Sequence, residues 1–84
     1  MRVVCVYREH QDYSRTVSDW IEDFYRRTGY KLETIDPDRD PHFCETYSII
    51  EYPTILAISE DGGVRAFWAG RQLPMFNEVL YYIS

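Results

Sequence analysis

Thr54-Ile55-Leu56-Ala57-Ile58-Ser59-Glu60-Asp61-Gly62-Gly63-Val64-Arg65-Ala66-Phe67-Trp68 is the stretch on which the fold turns. Two runs of β-prone residues, 54–58 and 64–68, flank Glu60-Asp61-Gly62-Gly63, a tight-turn signal, and so predict an antiparallel hairpin. Downstream, Gly70 punctuates the chain and Pro74 is expected to open a last helix, with Leu73, Phe76, Leu80 and Ile83 along one side. The tyrosine-rich segment Val79-Leu80-Tyr81-Tyr82-Ile83 then reads as core plus helix margin, because packing already explains its apolar spacing.

Upstream of the hairpin the pattern alternates between strand and helix. Val3-Val4-Cys5-Val6-Tyr7 is short, mostly apolar and β-branched, as a central strand covered on both faces would be. Arg8 to Tyr13 is polar and reads as a loop, and Asp12 or Ser14 is placed to cap the helix that follows. Val17, Trp20, Ile21, Phe24 and Tyr25 recur at helical spacing. Arg26-Arg27 falls in the last turn, where cations complement the helix dipole, and Gly29 stands where a left-handed residue ends a helix. Lys31 to Ile35 reads as a second strand. Asp40-Pro41 starts a second, brief helix: a side-chain acceptor at the cap, then a residue with fixed φ and no N–H to leave unpaired. Phe43, Tyr47 and Ile50 supply its apolar face.

The predicted order is β-α-β-α-β-β-α. The first βαβ unit should pair its strands in parallel through a right-handed crossover. Adding the hairpin and the last helix makes an α/β domain over residues 1–84, with a mixed four-stranded sheet and helices on both faces. With 84 residues, 45% of them hydrophobic, the chain allows one domain with a modest core and is not generally disordered. The net charge of -5 offers no basic stripe for a phosphate backbone, which argues against nucleic acid as a partner. The apolar run after Arg2 is too short for a signal core or a membrane span, so a cytoplasmic location and no membrane association are expected. Two cysteines in a reducing compartment are expected as thiols.

Tyr52-Pro53-Thr54 at the start of the third strand, preceded by Tyr47-Ser48-Ile49, resembles the cis-Pro loop of the thioredoxin-like proteins, which include thioredoxins and glutaredoxins. Ile35-Asp36 ending the second strand, the Gly62-Gly63 turn and Gly70 before the last helix fit the same resemblance, which spans nearly the whole chain. It implies the thioredoxin-like fold, with the proline cis and facing the active-site loop. It also sets the family's Cys-x-x-Cys against Gln11-Asp12-Tyr13-Ser14, with Gln11 at the nucleophilic and Ser14 at the resolving position. Disulfide exchange requires a thiolate to attack sulfur, and neither an amide nor an unactivated hydroxyl can do so. The acidic pair that some glutaredoxins place after Gly70 to hold glutathione is replaced by Arg71-Gln72-Leu73.

The remaining chemistry-bearing residues have plainer readings. Cys5 lies mid-strand, where a thiol behaves as a small hydrophobe. Cys44 sits near a helix N-terminus, where the dipole can lower a thiol pKa, but no resolving partner is near in sequence. Asp36-x-Asp38-x-Asp40 begins like a calcium loop, yet Pro41 stands where glycine is required and Tyr47 where glutamate is. His10 and His42 belong to no closed set of four zinc ligands. Ser14, Asp12 and His10 in one loop do not make a triad, since a third residue must orient the base. No cofactor and no metal are expected.

The expectation is therefore a non-catalytic module that binds a protein or peptide across the cis-Pro loop, with Gln11, Asp12, Tyr13, Ser14, Tyr52, Pro53 and Gly70 as its surface. An extended peptide would bond to the backbone of the residue before the proline, a form of strand addition. The alternative is an atypical thiol redox protein using Cys44 or a thiol supplied by a partner. A monomer or weak homodimer is expected.

Overall fold

A computed structural model describes residues 1–83. Strands β1 (Arg2–Val6), β2 (Glu33–Ile35), β3 (Thr54–Ile58) and β4 (Val64–Ala69) form one sheet, and helices α1 (Ser14–Thr28), α2 (Pro41–Thr46) and α3 (Phe76–Leu80) accompany it. The strand order is β2-β1-β3-β4, with β1 parallel to β2 and antiparallel to β3, and β3 antiparallel to β4.

Strands β1 and β3 occupy the centre because their sequences have nothing to show to water. Val3 to Val6 and Ile55 to Ile58 are all at most 1% exposed. Side chains alternate across a strand, so this burial divides between two cores. Val3, Cys5, Ile55 and Ala57 pack with Val17 and Phe24 of α1 and with Val79 of α3. Val4, Val6, Leu56 and Ile58 pack on the other face with Cys44 of α2 and with Ile49. Aromatic rings close the first core: Phe24 stacks on Trp20 at 5.2 Å, and Phe76 sits edge-on to both.

Local signals behave as their chemistry demands at two helix ends. Gly29 has φ 77°, and its N–H bonds to Tyr25 O. The Asp40 carboxylate accepts from Phe43 N–H, with Pro41 at the first helical position.

Several expectations are corrected. Neither Asp12 nor Ser14 caps α1; Tyr13 occupies that position without a side-chain bond. The Ser14 hydroxyl instead accepts from Gln11 N–H and donates to Arg8 O, which ties the loop to itself. Tyr25 is half exposed because the stripe of α1 is narrower than its apolar spacing. Strand β2 begins at Glu33, not Lys31, because parallel pairing with β1 starts at Val4↔Glu33. Strand β4 runs one residue further than expected, since Ala69 pairs with Thr54. Ile50 is 92% exposed, and Ile49 is buried in its place. Helix α2 ends at Thr46, and Ser48 at φ 56° breaks the helical phase that would have turned Ile50 inward. Helix α3 starts at Phe76, not Pro74, because buried Pro74 is engaged elsewhere: its carbonyl accepts from Trp20 Nε1. The shift makes Val79 the buried residue of α3 and leaves Leu80 at 37% exposure.

Two outcomes test this packing. Phe24→Ala should destabilise the domain by about 3–5 kcal/mol in urea denaturation, since it removes the ring that joins α1 to α3; a loss under 1 kcal/mol would contradict the packing. Burial pushes the Cys5 thiol from 9.0 up to about 12. The unfolded chain then releases that proton first as pH rises, so Cys5 makes stability fall between pH 9 and about 12 and adds no slope below. Cys5→Ala should flatten the alkaline limb of a stability-versus-pH curve.

Candidate functional site

The strand register brings one set of loops to one end of the sheet. Val6 stands opposite Thr54 and beside Ile35, and Thr54 stands opposite Ala69. The residues that leave the sheet there are Tyr7-Arg8 after β1, Asp36 after β2, Pro53 before β3 and Gly70 after β4. The peptide bond Tyr52–Pro53 is cis. Pro53 is buried, and its carbonyl accepts from Gly70 N–H at 2.8 Å. Gly70 adopts φ 100°, a conformation open to glycine and costly for other residues.

Arg8 joins the loops on one side. Its backbone N–H donates to the Tyr13 hydroxyl at 3.1 Å. Its guanidinium lies 4.8 Å from the centre of the Tyr52 ring and donates to both carboxylate oxygens of Asp38. Arg71 joins them on the other. It donates to Asp12 at 2.8 Å and lies 5.6 Å from the Tyr13 ring centre. Hydrogen bonding from Arg71 holds the Asp12 carboxyl below its ordinary range. Both ion pairs are exposed, so they orient the loops more than they stabilise the fold.

The seven candidate residues are thus gathered, in two groups. Gln11 to Ser14 form the turn before α1, and Tyr52, Pro53 and Gly70 form the platform beside it. Arg8 and Arg71 bridge the groups, and neither was among the binding residues expected from the sequence, where Arg71 was noted only as replacing an acidic residue. Their signal was no more than arginines next to loops, which most chains contain. Gln11 and Asp12 are exposed, and Tyr13, Ser14, Tyr52 and Gly70 are partly buried. The backbone N–H and C=O of Tyr52 take no hydrogen bond among the described residues.

The thiols lie off this turn. Both cysteines are free and buried. Cys44 is 7% exposed and reaches the site indirectly, lining an open cleft of about 480 Å³ with Tyr52 and Arg8. Burial is the main cause that raises the Tyr52 hydroxyl pKa, and the neighbouring Cys44 adds to it. No group of three or more metal-ligating side chains occurs among the described residues. Nor is any described helix long and apolar enough to cross a membrane.

No protein-family model and no curated protein matches the chain. Solved structures do. Thioredoxin 1 from the thermophilic eubacterium Thermosipho africanus TCF52B superposes over 99% of this chain and 90% of its own, with a TM-score of 0.71 and 14% identity. A structure described as a malarial protein superposes over 96% of this chain and 90% of its own, with a TM-score of 0.75 and 16% identity. Identity this low speaks to the fold alone. The mixed sheet, the helices on both faces and the proline-led third strand are accounted for together: the chain has the thioredoxin-like fold.

Proposed function

We propose that this chain is a non-catalytic thioredoxin-like module that binds an extended peptide across the Tyr52–Pro53 loop. The observation that carries this reading is the open backbone of Tyr52 beside a turn that contains no sulfur. A free N–H and C=O at a strand entrance are what an added strand pairs with, while neighbouring side chains select the sequence. Tyr13 and Tyr52 flank that backbone as aromatic contacts held in place by Arg8. Gln11 and Ser14 supply no thiolate, so a bound peptide would be held and not exchanged.

A second reading has one observation in its favour. Cys44 borders the cleft next to Tyr52, so a thiol is near the residue that precedes the proline. Its low exposure stands against attack on a disulfide, which needs an accessible thiolate.

Three measurements separate the readings. In an insulin-reduction assay with dithiothreitol, the protein should give no rate above background; a rate abolished by Cys44→Ala would establish the redox reading instead. The double substitution Gln11→Cys with Ser14→Cys should introduce reductase activity, because it puts a thiol pair at the start of α1. In amide NMR, a binding peptide should shift Tyr52, Gly70 and residues 11–14 together, and Tyr13→Ala should weaken it about tenfold. Shifts confined to the far end of the sheet would refute the proposed surface.

A further inference from the structure

The cleft on the α2 side of Tyr52 has walls of mixed character. Pro41, Cys44, Ile49, Ile50 and Tyr52 form its apolar lining, and its volume of about 480 Å³ falls in the range that takes a side chain or small ligand. Ile50 is the informative residue. It is 92% exposed, because Ser48 at φ 56° turns the chain so that Ile49 goes inward and Ile50 out. A large apolar side chain at the cleft mouth, two residues before the open Tyr52 backbone, lies within reach of a peptide paired there.

The charges around this loop are not balanced. The two arginines that brace the loops each have an aspartate: Arg8 is held by Asp38, and Arg71 by Asp12, while Arg15, in the first turn of α1, makes no ion pair among the described residues. Glu45 and Glu51, the carboxylates nearest the Tyr52 loop in sequence and at the cleft, have no such partner. Glu45 lines the cleft, and Glu51 lies beside Gly70, its Oε2 3.0 Å from where a Cβ on Gly70 would lie. Neither makes an ion pair among the described residues. At the cleft an anionic peptide would meet Glu45 and Glu51, and the one arginine lining the cleft, Arg8, is already paired with Asp38. A cationic one would satisfy both, and the chain's net charge of -5 would favour its approach.

From this we infer that the ligand is an extended segment with one large apolar residue flanked by lysine or arginine. The apolar side chain enters the cleft against Ile50, and the flanking cations face Glu45 and Glu51. The inference rests on the binding surface proposed above and adds its selectivity.

The test uses three fluorescein-labelled nonapeptides in fluorescence polarisation, with amide NMR to locate binding. One carries a central leucine and two lysines on each side; the second has glutamates for the lysines; the third has serine for the leucine. The first should bind at Tyr52 and Gly70, at least tenfold tighter than either of the others. Glu45→Gln with Glu51→Gln should weaken it about fivefold, in keeping with exposed ion pairs, and abolish most of its preference over the glutamate peptide. Ile50→Ser should erase the preference for leucine over serine. All three positions are exposed, so the variants should keep the fold, which circular dichroism checks. If all peptides shift Tyr52 and Gly70 with equal affinity, or if these variants bind as the parent does, the selectivity is refuted while the surface stands. If no peptide shifts those amides, both are refuted.

Discussion

Burial of β1 and β3 on both faces is the constraint from which the rest of the molecule follows. Each residue of Val3–Val6 and Ile55–Ile58 is committed to one of two cores by its parity along the strand. A slip of one residue in either strand would exchange the two sets, moving Cys5 and Ala57 toward α2 and Val4 and Leu56 toward α1 and α3. Buried aliphatic side chains contribute roughly 1.5–3 kcal/mol each, so the register is held far more firmly by packing than by any surface charge. With the register set, the ends of all four strands fall into place. The loops at one rim then lie side by side without needing contacts of their own to gather them.

What those loops do with their proximity is electrostatic. Arg8 and Arg71 each bind an aspartate from a different part of the chain, and each also approaches the ring of a tyrosine. The turn before α1 is therefore braced by side-chain contacts to Asp12 and Tyr13. Bracing of this kind is reversible and salt-sensitive, because both pairs stand in water. It also occupies both of these guanidinium groups, while Glu45 and Glu51 make no ion pair among the described residues.

Elements whose cause is local were legible in advance. Gly29 ends α1 because only a residue at ease with positive φ continues the chain there, and Asp40-Pro41 starts α2 because cap and first residue are adjacent in sequence. The hairpin across Glu60–Gly63 is legible for the same reason. The misreadings have a common physical origin. Ile50 and Leu80 continue an apolar periodicity on paper, but Ser48 at φ 56° breaks one helix and the engagement of Pro74 by Trp20 delays the other. Phe43, Tyr47, Leu73, Phe76 and Ile83 still pack on the cores, but Ile49 and Val79 take the inner places expected of Ile50 and Leu80. Ser14 has the chemistry of a cap, yet a nearby carbonyl and amide outcompeted the helix for its hydroxyl.

The amino-acid sequence by itself determined the order of elements, the two central strands, the proline before β3 and the lack of sulfur at Gln11-Asp12-Tyr13-Ser14. These are matters of residue type and short-range spacing, which need no partner from elsewhere in the chain. Tertiary structure alone decided that Arg8 spans Tyr13 and Tyr52, that Arg71 reaches Asp12, 59 residues away, and that Cys44 borders the cleft beside Tyr52. Such pairings depend on where strands end relative to one another. That is set by the summed packing of two cores, and no local run of residues encodes it.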